Sequence, residues 1–235
     1  MKTLFISDTH GYHDHLLVED NTEMIIHSGD ASNFRSPAFN FNEMVNFISW
    51  YKKQKAKYKV FVGGNHDTSL EARLVTKQMF LEAGIIYLEH EFIEIEGLKL
   101  FGSPYNPEFH NWAFNVARSR LNEYWENIPL DTDILITHTP PKGILDLANK
   151  ENDEIEYCGC SALYKKVIKI NPKFHVFGHI HNNYDNVNAG YRTINKCDTI
   201  FINATCLKDG AFNRGLHSQG IYFNVVKGQQ SAGDK

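Results

Sequence analysis

Asp8-Thr9-His10, Gly29-Asp30, Gly64-Asn65-His66-Asp67, Thr137-His138 and Gly178-His179-Ile180-His181 spread carboxylate, imidazole and amide donors along most of the chain. Mixed nitrogen and oxygen donors of this kind accept several first-row divalent cations. Two such ions held about 3.5–4 Å apart need a shared anion to offset their repulsion, and Asp30 is the candidate bridge. Asp8 and His10 stand at alternate positions, as do His179 and His181, so each pair can turn toward one pocket from an extended backbone. Asn65 adds a neutral carbonyl oxygen and His138 a further ring nitrogen. The carboxylates of Asp8 and Asp30 with a bridging hydroxide would leave a two-dication centre at about +1, a charge that suits an anionic phosphate ester. His66 is not required as a ligand and is the natural general acid for a leaving alkoxide. Asp67 is expected to orient the His66 ring, as carboxylates near metal centres often do.

Positioning these groups falls to strands. Leu4-Phe5-Ile6, Met24-Ile25-Ile26, Val60-Phe61-Val62, Ile134-Leu135-Ile136 and His175-Val176-Phe177 each precede one of the donor segments. Every candidate ligand therefore lies where a buried strand gives way to a loop, the place where layered α/β proteins bind ligands. Phe41, Met44, Val45, Ile48 and Tyr51 follow helical spacing, closed by Lys52, Lys53 and Lys55. Thr68-x-x-Glu71 predicts a capping box opening a helix that runs to Gly84. Ile85 to Leu88 reads as a strand, and Phe92–Ile95 with Leu98–Phe101 as an antiparallel hairpin across Glu96-Gly97. Helices are expected over Val116 to Asn127 and Cys160 to Ile170, each ending before a proline. Thr199–Asn203 and Ile221–Val226 read as the last strands. Strand–helix alternation followed by a hairpin and isolated strands implies an α/β protein of mixed sheets between helical layers.

With 235 residues, 42% of them hydrophobic and 13% aromatic, the chain can fill one sizeable core. A single domain over 1–227 is expected, followed by a flexible polar tail over 228–235. The net charge of −4 argues against an extended nucleic-acid footprint. Cys158, Cys160, Cys197 and Cys206 form no disulfide framework, and Cys158-Gly159-Cys160 is too short for a structural zinc knuckle. Reduced thiols, an N-terminus that enters a strand directly and the lack of a long apolar run give the expectation of a soluble cytoplasmic protein with no membrane association. His13, His15, His90, His110 and His175 match no ligand pattern and are expected to be surface or hydrogen-bonded residues.

The order D-x-H, GD, GNH(D/E), strand-end His and GHxH resembles the calcineurin-like metallophosphoesterase superfamily, and every element stands here. The resemblance implies a four-layer αββα sandwich of two mixed β-sheets flanked by helices. It implies one ion on Asp8, His10, Asp30 and His181, and a second on Asp30, Asn65, His138 and His179. Phe101-Gly102-Ser103-Pro104-Tyr105, Asn111-Trp112-Ala113-Phe114-Asn115, Thr137-His138-Thr139-Pro140-Pro141 and Gly159-Cys160 look more narrowly like the MPPED-type (metallophosphoesterase-domain-containing) phosphodiesterases. That likeness implies metal-hydroxide attack on small phosphodiesters, cyclic or 2′,3′-cyclic nucleotides among them. The cofactor implied is two divalent metal ions, manganese or iron first, with zinc, nickel or cobalt as alternatives. One departure bears on substrate. After Gly29-Asp30 the chain reads Ala31-Ser32-Asn33-Phe34, without the acidic residue and Arg-Gly that protein phosphatases of the superfamily carry.

Tyr105, Phe109, Trp112 and Phe114 cluster before a predicted helix. Tyr105 and Trp112 are the candidates for stacking on a base or aryl group; the alternative is that these aromatics close one end of the core. Asn182, Asn183 and Asn203 could donate to phosphate or cap loops. Arg118, Arg120, Arg192 and Arg214 single out no clamp. The competing functions are a nuclease or phosphomonoesterase of the same superfamily and a non-catalytic protein-binding scaffold.

Overall fold

The computed structural model describes residues 1–149, 154–182, 186–207 and 215–226. In chain order the elements are β1 (Lys2–Ile6), β2 (Met24–His27), α1 (Pro37–Lys53), β3 (Tyr58–Val62), α2 (Thr68–Glu71), α3 (Lys77–Glu82), β4 (Ile86–Leu88), β5 (Glu91–Ile95), β6 (Leu98–Ser103), β7 (Asn106–Pro107), β8 (Asn115–Val116), α4 (Leu121–Glu126), β9 (Ile134–Thr137), β10 (Leu147–Asn149), β11 (Ile155–Tyr157), α5 (Ser161–Ile170), β12 (Phe174–Phe177), β13 (Gly190–Ile194), β14 (Cys197–Asn203) and β15 (Ile221–Asn224).

Two mixed sheets result, in the orders β15-β1-β2-β3-β4 and β13-β14-β12-β9-β6-β5. The central strands of each are parallel, and the antiparallel pairs lie at the edges: β15 on β1, β13 on β14, β5 on β6. Period-two alternation then sorts the side chains. Phe5, Met24, Ile26, Val60 and Val62 of one sheet meet Leu100, Ile134, Ile136, Val176 and Ile202 of the other in a central core. Leu4, Ile6, Ile25 and Phe61 turn outward onto Met44, Phe47 and Tyr51 of α1 and Phe80 of α3. Phe101, Leu135, Phe177 and Phe201 turn outward onto Trp125 of α4 and Leu163 and Val167 of α5. Three cores between four layers make the αββα sandwich.

Three sequence expectations are corrected. The stretch after Asp67 is two short helices. Thr68 does not cap, because its hydroxyl donates to the Phe34 carbonyl (3.3 Å), and Glu71 Oε1 instead accepts the Phe114 N–H (2.7 Å). Arg73, at φ 59°, breaks the helix before Val75 enters the core. The helix expected from Val116 starts only at Leu121, because β8 pairs in parallel with β7 and the Val116 carbonyl accepts from Glu108. On α1, Val45 is exposed, whereas Phe47 and Trp50 are buried. The expected 228–235 tail, Asn183 and Arg214 lie outside the described residues.

Candidate active site and metal centre

All five donor segments leave the C-terminal ends of parallel strands: Asp8 and His10 follow β1, Asp30 follows β2, Asn65 and His66 follow β3, His138 follows β9, and His179 and His181 follow β12. The backbone there departs from ordinary geometry. Asp8, His10, Asp30 and His179 all take left-handed conformations (φ 52°, 43°, 57° and 69°). Non-glycine residues adopt this region at a cost and concentrate at functional sites. The loops are laced to one another: Asp8 N–H donates to the Gly29 carbonyl, His10 N–H to Asp30, and Gly178 N–H to His138.

The glycines preceding the ligands are there because ligands occupy the space a Cβ would need. At Gly64 a Cβ would overlap Asp30 Oδ1, and at Gly178 it would overlap Asp8 Oδ2 and Ser7 Oγ. This is the close backbone approach that only glycine permits.

Side chains from the two sheets meet across the gap. Asp8 Oδ1 lies 3.0 Å from His181 Nε2, and His181 Nε2 lies 3.4 Å from His10 Nε2. His138 Nε2 stands 2.9 Å from Asn65 Oδ1 and 3.2 Å from Asp30 Oδ2, while the other face of Asp30 Oδ2 is 3.8 Å from His10 Nε2. Among the described residues, three groupings could hold an ion: Asp8, His10 and His181; Asp30, His138 and His179; and His10, Asp30 and His66. Asp30 is common to two of them and stands between.

The donor chemistry fits cations. His138 Nδ1 donates to the Ser28 carbonyl (2.9 Å), so its Nε2 points among oxygens that can only accept. Something positive must stand there. Without an ion a proton does so: burial opposes the charged ring, but Asp30 outweighs it and pushes the His138 pKa up to about 9. Burial would raise the Asp8 carboxyl, yet His181 holds it well below the usual carboxylate range. Asp30 is likewise held low, chiefly by His138, against the effect of burial. His10 and His179 are pushed down to about 3 by burial, leaving neutral rings with lone pairs available.

Asp67 does not serve the His66 ring. Its carboxylate accepts from the backbone N–H groups of Asp30 (2.9 Å), Ser32 (3.0 Å) and Gly64 (2.8 Å) and from the Ser32 hydroxyl (2.7 Å). It binds the β2 loop to the β3 loop. Burial and the Asp30 charge raise its pKa to about 6. The His66 ring is held by the Asn33 carbonyl at Nδ1 (3.3 Å) and by Trp112, which stacks on it with centroids 4.1 Å apart. Tyr105 is not at the site. It packs on Tyr124, His90 and Phe114, closing one end of the core.

Sequence reasoning missed the groups that hold the loops. Gly29 N–H donates to His27 Nδ1 (3.2 Å), so His27 Nε2–H donates to the Thr9 hydroxyl (3.0 Å), spanning the Asp8 and Asp30 loops. His27 sits at the end of an apolar run on the helix-facing register of Ile25, the only sequence signal it offers. Asn40 of α1 reaches the Ser32 hydroxyl and the Phe34 and His66 carbonyls through Nδ2, and accepts from Ser69 through Oδ1. Asn203 was not missed: of the two roles open to it in the sequence it takes loop capping, donating to the Ile180 carbonyl (2.9 Å) and fixing the loop between His179 and His181. His175 is fully buried: Thr137 donates its hydroxyl to the Thr139 carbonyl and so accepts from His175 Nε2–H (2.9 Å). His13 departs from expectation, being buried against Phe47 and Trp50 with neither ring nitrogen bonded among the described residues.

A cleft of about 840 Å³ opens beside His179, lined by Phe109, Arg118, Thr139, Glu154, Glu156 and Ile180 among others. Trp112 and Tyr105 do not line it.

The model of the calcineurin-like phosphoesterase family matches residues 1–183. The UPF0046 protein T07D4.2 of Caenorhabditis elegans is 35% identical over 250 residues, covering 94% of this chain and 59% of that protein. The human metallophosphoesterase domain-containing protein 1 is 32% identical over 203 residues, covering 76% of this chain and 60% of that one. The chain thus spans about 60% of the length of these relatives. In fold it is similar to the phosphopantetheinyl hydrolase of Mycobacterium tuberculosis, with a TM-score of 0.57 at 16% identity over 87% of this chain and 88% of that one. Strand-end donors converging from two sheets and sequence matches that run through every one of them lead to one conclusion: the chain belongs to the calcineurin-like phosphoesterase family, in its metallophosphoesterase-domain-containing branch.

Proposed function

We propose that this metal-dependent phosphoesterase is a phosphodiesterase acting on small diesters, cyclic and 2′,3′-cyclic nucleotides among them. The observation that carries the reading is the cleft beside His179. Its volume of about 840 Å³ is in the range of small-molecule sites. Glu154 and Glu156 stand in its wall with Arg118, and two carboxylates disfavour the second negative charge of a monoester.

In this reading Asp8, His10, Asp30 and His181 would hold one ion, and Asp30, Asn65, His138 and His179 the other. When bound, such a pair neutralises phosphoryl charge and acidifies water. Asp30 is placed to be shared, since its Oδ1 is already tied to the His66 N–H (2.7 Å) while Oδ2 faces both groups. Ser28 accepts from His138 Nδ1–H, so that Nε2 would be the atom free to hold an ion once its proton is displaced. Asn33 occupies His66 Nδ1 and leaves Nε2 as the atom that delivers a proton. As the water oxygen bonds to phosphorus, the opposite P–O bond breaks and that proton goes to the departing oxygen.

The test is turnover by protein reconstituted separately with manganese, iron, zinc, nickel or cobalt. Bis(p-nitrophenyl) phosphate and 2′,3′-cyclic nucleotides should be cleaved faster than p-nitrophenyl phosphate. Faster monoester cleavage would make it a phosphatase, preference for polymeric DNA or RNA a nuclease, and no turnover with any of these ions a scaffold; each outcome overturns the proposal.

A further inference from the structure

We infer that Trp112 is a positioning residue for His66 and not a platform for the substrate, an inference that rests on His66 being the general acid of the proposed reaction. The indole stacks on the imidazole at 4.1 Å with the planes 27° apart. The His10 ring also meets this imidazole in a T-shaped contact, with centroids 4.7 Å apart and planes at 88°. The Asn33 carbonyl takes Nδ1. Stack, T-shaped contact and hydrogen bond together fix both the plane of the His66 ring and its rotation within that plane.

The indole is itself held. The Arg35 guanidinium lies over it at 5.1 Å and donates to the carbonyl of Asn111, the residue before Trp112. The N–H of Ala113, the residue after it, donates to the Asn65 carbonyl (3.0 Å), and the next N–H donates to Glu71. Trp112 is thereby pinned on both sides in sequence, before it to Arg35 of the loop that also bears Asn33, and after it to Asn65 and to Glu71 of α2. With His66 against it and Arg35 over it, its ring surface is already in use, and it does not line the cleft beside His179. A proton donor works only within hydrogen-bond reach of the leaving oxygen, and a misplacement of about 1 Å can cost on the order of 100-fold.

The experiment compares Trp112→Leu, Trp112→Phe, His66→Ala and the double variant His66→Ala/Trp112→Leu in the manganese-loaded protein. The substrates are bis(p-nitrophenyl) phosphate, whose leaving group needs no proton, and a 2′,3′-cyclic nucleotide, which expels an alkoxide. Trp112→Leu should lower kcat on the cyclic nucleotide roughly 10- to 100-fold, with KM unchanged and less than about threefold loss on the aryl ester. Trp112→Phe should restore most of it, and Trp112→Leu should cost nothing further once His66 is alanine. Equal losses on both substrates, additivity in the double variant, or a raised KM with kcat intact would overturn the inference. A second readout needs no turnover. In the diamagnetic zinc-loaded protein the His66 ring protons should carry an upfield ring-current shift in the wild-type NMR spectrum that vanishes in Trp112→Leu; an unmoved His66 signal also overturns it. If His66→Ala itself spares alkoxide expulsion, the general-acid assignment fails, and the NMR result still decides whether the indole holds the ring.

Discussion

Replacing His175 by glutamine should remove a defined part of the acid sensitivity of the metal-free fold. His175 is fully buried between β12 and the α4–α5 layer, against Phe177 and Phe201, and donates from Nε2 to Thr137. Burial drives its pKa from 6.5 down to about 3. The unfolded chain binds a proton here below pH 6.5, and the folded chain does not until about pH 3. The contribution to stability is therefore fully present above pH 6.5 and is lost as pH falls, by about 1.4 kcal/mol per unit across that window. Between pH 7.5 and 5.0 the loss comes to about 2 kcal/mol, and a unit's change in the folded value would hardly alter it. Glutamine can keep an N–H donor to Thr137 and cannot titrate. Urea unfolding of the metal-free wild type and His175→Gln at both pH values measures the difference directly. The variant should lose about 2 kcal/mol less than the wild type on acidification. Identical losses would mean that His175 charges as readily in the folded chain as in the unfolded one, and the reasoning from burial would be wrong.

Three further outcomes are expected. Gly178→Ala should keep its circular dichroism spectrum but bind manganese at least roughly tenfold more weakly in calorimetry, because the added methyl group displaces Asp8; unchanged affinity would contradict the crowding. Manganese binding should strengthen as pH rises from 7 toward 9, about tenfold per unit for the proton displaced from His138, with proton release visible in buffers of different ionisation enthalpy; a flat profile would show that His138 is not protonated in the metal-free protein. Asn40→Leu should cost about 2 kcal/mol in urea unfolding, since it strands the buried Ser69 N–H and takes one donor each from the Phe34 and His66 carbonyls, while a cost under about 1 kcal/mol would show that water replaces those bonds.

The site was legible because its residues sit at strand ends, where a short apolar run followed by a donor can be read directly. The five ligand-bearing strands and their layer followed from that pattern. Where a backbone group had a distant partner, local reading failed. Thr68 and Glu71 look like a capping pair, but the carbonyl of Phe34 and the N–H of Phe114 claim them. Val116 begins an amphipathic pattern, but β7 takes it into a strand pair. Asp67 adjoins His66 in sequence, which suggested contact with its ring, but Asp67 turns to the N–H groups of Asp30 and Gly64. Tyr105 and Trp112 share an aromatic cluster yet go to different places, because alternation along a short loop is set by tertiary packing and not by spacing. The β10–β11 and β7–β8 pairs give no periodic signal at two or three residues each.

The donors come from both sheets: Asp8, His10, Asp30 and Asn65 from the one that contains β1, His138, His179 and His181 from the one that contains β9. Neither sheet carries a full set for either proposed ion. A folding intermediate with only one sheet formed would be blind to the cation, whereas docking of the two sheets would create both sites at once. During synthesis the earlier half of the donors must wait for the chain to pass His181. A metal-sensitive probe should then follow the last stage of assembly and none of the earlier ones, and free metal should stabilise that stage by mass action alone.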